Sequence, residues 1–126
     1  MSPTRLRECI ALPGWSQRDL ARRLALNDRT TRAMSSGKKD IAPELSDWLE
    51  AIAARWEALD PDLQEGARRM GCDRGIFVRR PLSFRPLTDD EAEMLKALAE
   101  FHITRPQPDG WKATDPAALQ DSPDIL

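Results

Sequence analysis

Apolar residues recur at intervals of three and four along the first half of the chain, a pattern that predicts short amphipathic α-helices. The predicted helices cover residues 3–12, 17–24, 28–35 and 43–59. Ser16 and Asn27 precede the second and third helices as N-caps, and Gly37 follows the third helix as a stop. Because a very short turn joins the second and third helices, we expect these two helices to cross at a steep angle.

The pattern in the second half of the chain is less regular. Residues 61–70 are predicted to form a short helix that is capped by Gly71. Short apolar pieces separated by arginine and proline at residues 71–87 predict a small hairpin or an extended arm. Thr88-Asp89-Asp90-Glu91 has the pattern of a capping box and predicts a helix over residues 89–102.

These elements place the chain in the mainly α class. We expect a bundle of four to five helices in residues 1–59 and a second segment at residues 60–104, with short β pieces and one amphipathic helix. Residues 105–126 are rich in proline and aspartate and are expected to be a largely irregular tail.

Composition narrows the class of protein further. The chain has 126 residues, no apolar run long enough to span a membrane, and no apolar stretch near its N-terminus typical of a signal peptide. Cys9 and Cys72 lack metal-ligand spacing and are expected to be reduced thiols. The sequence has no phosphate-binding loop and no glycine-rich fingerprint. We therefore expect a cytoplasmic protein that needs no cofactor and no metal and does not bind a membrane.

The two halves of the chain carry opposite charge, although the net charge of the whole is only −2. Residues 1–39 contain nine basic and three acidic side chains, whereas residues 40–126 contain ten basic and eighteen acidic ones. Such asymmetry predicts that the first half contacts a polyanion and that the second half contacts a different kind of partner. Clustering by chance on a solvated surface is the simpler explanation of the same numbers.

Three residue pairs within residues 15–37 identify a known motif. They are Ser16-Gln17, Leu20-Ala21 and Ser36-Gly37, which resemble the start, the packing pair and the end of the helix-turn-helix in the Xre family of Cro-like and phage-repressor-like regulators. The resemblance covers about residues 4–59. It implies a λ-repressor-like DNA-binding bundle for the first half of the chain.

The resemblance also implies which side chains contact DNA. The helix at 28–35 would enter the major groove, and its exposed N-terminal side chains would read base edges. The expected base contacts are Asp28, Arg29 and Arg32. The expected phosphate contacts are Gln17, Arg18, Arg22, Thr30, Lys38 and Lys39.

Several positions depart from the family pattern. Ala25 stands in the turn where the family favours glycine, so either a left-handed alanine costs roughly 1 kcal/mol or the turn differs slightly. Thr31 replaces the usual β-branched aliphatic residue. Ala33 and Met34 stand where a polar contact residue and a tryptophan are common.

The aromatic residues and the single histidine predict structure rather than catalysis. Trp15, Trp48 and Trp56 lie at helical spacing and are expected in the core, and Trp111 is expected to pin the tail. His102 has no nucleophile in a recognisable pattern, and its place near a helix end suits a positive charge. We therefore expect no enzymatic activity.

The apolar stripe of the last helix allows two interpretations. It packs on the fourth helix within one chain, or it packs on its twin in a second subunit. The stripe consists of Met94, Leu95, Leu98 and Phe101. A single helix-turn-helix reads half of a two-fold operator, so we favour a homodimer joined by this stripe.

Sequence therefore predicts a DNA-binding transcriptional regulator, with a repressor as the first hypothesis. The alternative is an antitoxin or a phage accessory protein whose acidic C-terminal half binds and neutralises another protein, with or without DNA binding of its own. A degenerate helix-turn-helix that only docks a protein is a third interpretation of the motif.

Overall fold

A computed structural model describes residues 1–76 and 86–111. These residues form six α-helices and one 3₁₀ turn and contain no strand, so the mainly α fold class is confirmed. The elements are α1 (Pro3–Ala11), α2 (Gln17–Leu24), α3 (Asp28–Ser36), α4 (Pro43–Glu57), α5 (Pro61–Met70), the 3₁₀ turn (Cys72–Arg74) and α6 (Asp89–Thr104). None of these helices is long and apolar enough to cross a membrane. Most of the predicted hairpin or arm, and the chain after Trp111, lie outside the described residues.

Local hydrogen bonds explain why the helices begin and end where they do. The Ser16 side chain accepts the N–H of Asp19 at 3.1 Å, and the Asp19 carboxylate accepts the N–H of Ser16 at 2.8 Å, which closes a capping box on α2. The Asn27 side chain accepts the N–H of Thr30 at 2.8 Å and caps α3. Gly37 ends α3 with a φ of 85°, a left-handed conformation that glycine adopts without strain.

One apolar cluster runs through both halves of the chain. It holds side chains of α1, α2 and α4 together with side chains of α5 and α6, among them Leu6, Leu24, Leu49, Leu63 and Leu98. The predicted boundary after residue 59 therefore does not separate two cores. Residues 1–59 and 60–104 bury their apolar faces against each other.

The structure corrects the predicted dimer contact on α6. Leu95, Leu98 and Phe101 are buried within the monomer as part of the common cluster, and only Met94 is exposed. A side chain that is already covered by its own chain has no apolar area left to bury against a second subunit. The interpretation that the stripe packs inside the monomer is the correct one for these three residues.

All four indole N–H groups donate hydrogen bonds between residues 1–59 and residues 60–111. Trp15 donates to the Asp73 carboxylate at 3.0 Å, Trp48 to the Arg105 carbonyl at 2.9 Å, and Trp56 to Nε2 of His102 at 3.1 Å. Trp111 donates in the opposite direction, to the Leu24 carbonyl at 2.8 Å. We call these four bonds the indole seam. They satisfy polar groups in the apolar contact and fix how the C-terminal residues lie on the first four helices.

Candidate nucleic-acid interface

The turn between α2 and α3 is built around a left-handed alanine. Ala25 has φ 54° and ψ 39° and is the only residue other than glycine with a positive φ in the described chain. The N–H groups of Ala25 and Leu26 donate back to carbonyls of the last turn of α2, which ends the helix and redirects the chain within three residues. Of the two alternatives for Ala25, the left-handed conformation is the one observed, and it costs about 1 kcal/mol relative to glycine.

One side of α3 is buried and the other is open to solvent. The buried side consists of Thr30, Thr31, Met34 and Ser35. The exposed residues Asp28, Arg29, Arg32 and Ser36 lie on the opposite side, because a helix rotates by about 100° per residue. All three predicted base-contacting residues therefore share one exposed stripe, which we call the α3 face.

Arginine side chains on the α3 face are lightly held. Arg29 is exposed and makes no hydrogen bond or ion pair with another described residue. Arg32 donates from Nε to the Asp28 carbonyl at 3.4 Å, which is a long contact. The Asp28 carboxylate lies 3.5 Å from Nε of Arg18 on α2, and these two side chains are 47% and 76% exposed. Such an exposed pair contributes little stability and exchanges partners readily.

The side chains predicted to contact phosphate lie at partly or fully exposed positions on α2 and directly after α3, with one exception. Gln17 is the first residue of α2, where helix N–H groups leave partial positive charge, and Arg18 and Arg22 are largely exposed on the same helix. Lys38 is exposed and Lys39 is half-buried just after α3. These residues place cations on α2 and directly after the end of α3.

Thr30 is the exception and is a correction to the predicted set. Its residue is only 2% exposed because it lies on the side of α3 that packs into the bundle. Its side chain therefore does not reach a surface on which a ligand could lie. The neighbouring Thr31 is also buried, and its hydroxyl donates to the Asn27 carbonyl at 3.3 Å, which satisfies the polar group that replaces an aliphatic residue there.

Long-range contacts that sequence reasoning missed hold both helices of the pair at their ends. Arg7 of α1 donates from Nη1 to the Ser35 carbonyl in the last turn of α3. Gln107 donates to the Arg23 carbonyl at 2.7 Å, next to the carbonyl that receives the Trp111 indole. Helix ends leave carbonyls without partners inside the helix, and these donors satisfy them. Only Trp111 carried a sequence signal, and its predicted role in pinning the tail is confirmed.

The flank of α2 that faces away from α3 is held by a partly buried ion pair. Arg23 donates from Nη2 to the Asp73 carboxylate at 2.8 Å, and its guanidinium lies 4.2 Å from the centre of the Trp15 ring. Burial lowers the pKa of Arg23, and the charge of Asp73 opposes that shift. Nε of Arg23 is the one buried side-chain nitrogen or oxygen without a hydrogen-bond partner among the described residues.

Comparisons with known proteins give no relative from which a function could be transferred. No protein-family model, curated protein or solved structure matches this chain. The assignment of a function therefore depends on the geometry of α2 and α3 and on the charges that surround them.

Proposed function

We propose that this chain is a sequence-specific DNA-binding regulator of transcription, of the Xre helix-turn-helix type, and that it acts as a repressor. The observation that carries the proposal is the α3 face. It presents Arg29 and Arg32 to solvent on a helix whose opposite side is fixed in the core. A rigid helix with an exposed, cationic face is the geometry that reads a major groove.

The dimensions and chemistry of α3 support this proposal. An α-helix with its side chains is about 10–12 Å in diameter, and the major groove is about 12 Å wide, so α3 fits with its first turns against base edges. A guanidinium can donate two hydrogen bonds to the O6 and N7 of guanine, and a carboxylate can accept from the amino group of cytosine. We assign the first role to Arg29 and Arg32 and the second role to Asp28.

Phosphate contacts would orient α3 on the duplex. Four cations and one helix N-terminus, on α2 and directly after α3, are assigned to the DNA backbone, namely Arg18, Arg22, Lys38, Lys39 and Gln17. When DNA binds, the Asp28 carboxylate and a phosphate would compete for Arg18. Because that ion pair is exposed, breaking it costs little free energy. Four displaced counterions predict a slope of about −3.6 for log affinity against log salt for each bound subunit.

The proposal includes a homodimer on a two-fold operator, because one helix-turn-helix reads only half of such a site. The buried stripe of α6 does not supply the contact, so a second copy would associate through another surface. The spacing of half-sites in the selected duplexes tests whether the chain binds as a homodimer. Selected duplexes with two inverted half-sites about one helical turn apart support a dimer, whereas single isolated half-sites contradict it.

Selection of duplexes from a random pool tests the whole proposal with the full chain. We expect the wild-type chain to enrich a defined sequence and to bind it with a steep salt dependence. The matched control is Arg69→Ala, because Arg69 is an exposed arginine on α5 that pairs with Glu65 outside the α3 face. Arg69→Ala should enrich the same sequence as wild type. Failure of wild type to enrich any sequence, with affinity independent of salt, would contradict the proposal.

A further inference from the structure

A cleft of about 360 Å³ opens between α2, the 3₁₀ turn and α5. Arginine dominates its wall. The charged residues that line it are Arg22, Arg23, Arg68, Arg74, Asp19 and Asp73. Four guanidinium groups face two carboxylates, so the cleft has an excess of two positive charges.

Both carboxylates of the cleft are already engaged by the protein. Asp73 accepts from Arg23 and from the Trp15 indole, and is only 11% exposed. Asp19 accepts the N–H of Ser16 in the capping box, a hydrogen bond that lowers the pKa of its carboxyl group. Its distance to Nη1 of Arg22 is 3.9 Å, the outer limit of an ion pair. Arg68 pairs with Glu65 at 3.3 Å and donates to the Leu12 carbonyl at 2.7 Å, so Arg74 is the guanidinium of the cleft that no described carboxylate engages.

Two of the four guanidinium groups keep unused donors. The Arg74 side chain is exposed and makes no hydrogen bond or ion pair with another described residue. Nε of Arg23 is buried without a partner. Nε of Arg23 is covered by the protein, so the donors open to a ligand in the cleft are those of Arg74.

We propose that this cleft binds a phosphate group. Guanidinium groups suit the tetrahedral, multiply charged phosphate because each offers paired donors in a fixed plane. The volume of the cleft lies within the range of small-molecule sites and exceeds the volume of a single phosphate. The phosphate comes either from a small phosphorylated molecule or from the backbone of a DNA duplex, and Arg22 is the residue that the cleft shares with the proposed DNA contacts.

Calorimetric titration of the full chain with inorganic pyrophosphate, at constant ionic strength, tests this site without any DNA. We expect saturable binding by wild type and a loss of about tenfold or more in affinity for Arg74→Glu, because a charge-assisted hydrogen bond becomes a repulsion. Arg69→Glu is the control, since it makes the same charge change on α5 without lining the cleft. No saturable binding by wild type would overturn the proposal, and so would equal affinity of Arg74→Glu and wild type.

Far-UV circular dichroism accompanies the titration as a check on folding. Arg74→Glu should retain the wild-type helix content because its side chain holds no other residue. If it does not, Arg22→Glu tests the same expectation, since the Arg22 side chain is 72% exposed. Because this titration contains no DNA, it can fail while the proposed function stands, and it can succeed while the proposed function fails.

Duplex binding by the same variants then identifies the source of the phosphate. If the site holds a backbone phosphate, Arg74→Glu weakens duplex binding and reduces the salt slope by about one contact. If the site holds a small molecule, Arg74→Glu binds the duplex as wild type does, and pyrophosphate and duplex bind at the same time. Each of these two results supports a phosphate site and assigns its source.

Discussion

Two ion pairs flank α2, and their surroundings differ. On the side towards α3, Arg18 and Asp28 lie 3.5 Å apart and are 76% and 47% exposed. On the side towards the 3₁₀ turn, Arg23 and Asp73 lie 2.8 Å apart and are 29% and 11% exposed, and the Trp15 indole donates to the same carboxylate. Water competes for the first pair and is largely kept from the second.

The helix α2, with eight residues, therefore carries one pair that can exchange its partner for a ligand and one pair that holds the helix in place. The exposed pair can give up its partner for a ligand, and it lies beside the α3 face that we assign to DNA. The partly buried pair belongs to the same contact as the indole seam and holds α2 against the C-terminal residues. Changes in the Arg23–Asp73 pair should therefore alter stability, whereas changes in the Arg18–Asp28 pair should alter DNA binding and leave stability nearly unchanged.

The largest expected effect is the loss of stability in acid through His102. This imidazole is buried, and it accepts the Trp56 indole N–H on Nε2. Burial lowers its pKa from 6.5 to about 4, with the charge of Arg23 acting in the same direction and that of Asp73 against it. The unfolded chain therefore takes up a proton near pH 6.5 that the folded chain resists until about pH 4. The stabilisation is complete above pH 6.5 and is lost as the pH falls towards 4, by about 3 kcal/mol.

Denaturant unfolding between pH 7 and pH 4 measures this effect. The His102→Gln variant is the control, since it lacks the titrating group and should show a flatter dependence over the same range, whatever its starting stability. Equal slopes for His102→Gln and wild type would show that His102 is not buried in its neutral form.

The next largest effect is a difference in stability between two arginine-to-alanine substitutions on α2, one in each ion pair. Arg23→Ala should lower the free energy of unfolding by about 2 kcal/mol, because it leaves Asp73 poorly solvated and removes the cation from the Trp15 ring. Arg18→Ala should change it by less than about 0.5 kcal/mol, because its pair is exposed. Urea unfolding of both variants at neutral pH makes the comparison. Similar losses in the two variants would remove the distinction between the flanks.

A smaller effect on stability is expected at Ala25, in the turn between α2 and α3. Ala25→Gly should raise the free energy of unfolding by about 0.5 kcal/mol, because relief of the left-handed strain exceeds the entropy that glycine adds to the unfolded chain. Ala58→Gly is the matched control, since Ala58 ends α4 in the right-handed region with φ −70° and should lose stability instead. Thermal unfolding of the two variants should show shifts of opposite sign. A loss of stability in both would contradict the left-handed conformation at Ala25.

Local signals allowed much of the fold to be predicted from the sequence. The capping residues Ser16, Asn27 and Thr88 fix where α2, α3 and α6 begin, and the predicted helix ends differ from the observed ones by at most two residues. For Ala25 the sequence left two alternatives, and the structure shows the left-handed one. Each of these features depends on hydrogen bonds between residues that are close in sequence. Such local partners can be recognised from one sequence without knowledge of the tertiary packing.

Features that depend on distant residues could not be predicted in the same way. Periodicity shows that α6 has an apolar side, but it does not show which surface covers that side, and the predicted dimer contact proved to be core. The place of His102 near a helix end favoured a positive charge, whereas burial lowers its pKa and keeps it neutral. The burial of Thr30 depends on the rotation of α3 against the bundle, and that rotation is set by tertiary packing.

The ratio of specific to nonspecific duplex affinity, measured for Arg29→Ala and Lys38→Ala, tests the central claim most directly. Arg29 is assigned to a base and Lys38 to a phosphate, and neither side chain has another partner in the described chain. Arg29→Ala should lower the ratio by about 5-fold to 150-fold, which corresponds to one lost base contact, while Lys38→Ala should weaken both affinities and leave the ratio unchanged. An unchanged ratio in Arg29→Ala would contradict the assignment of the α3 face to the major groove.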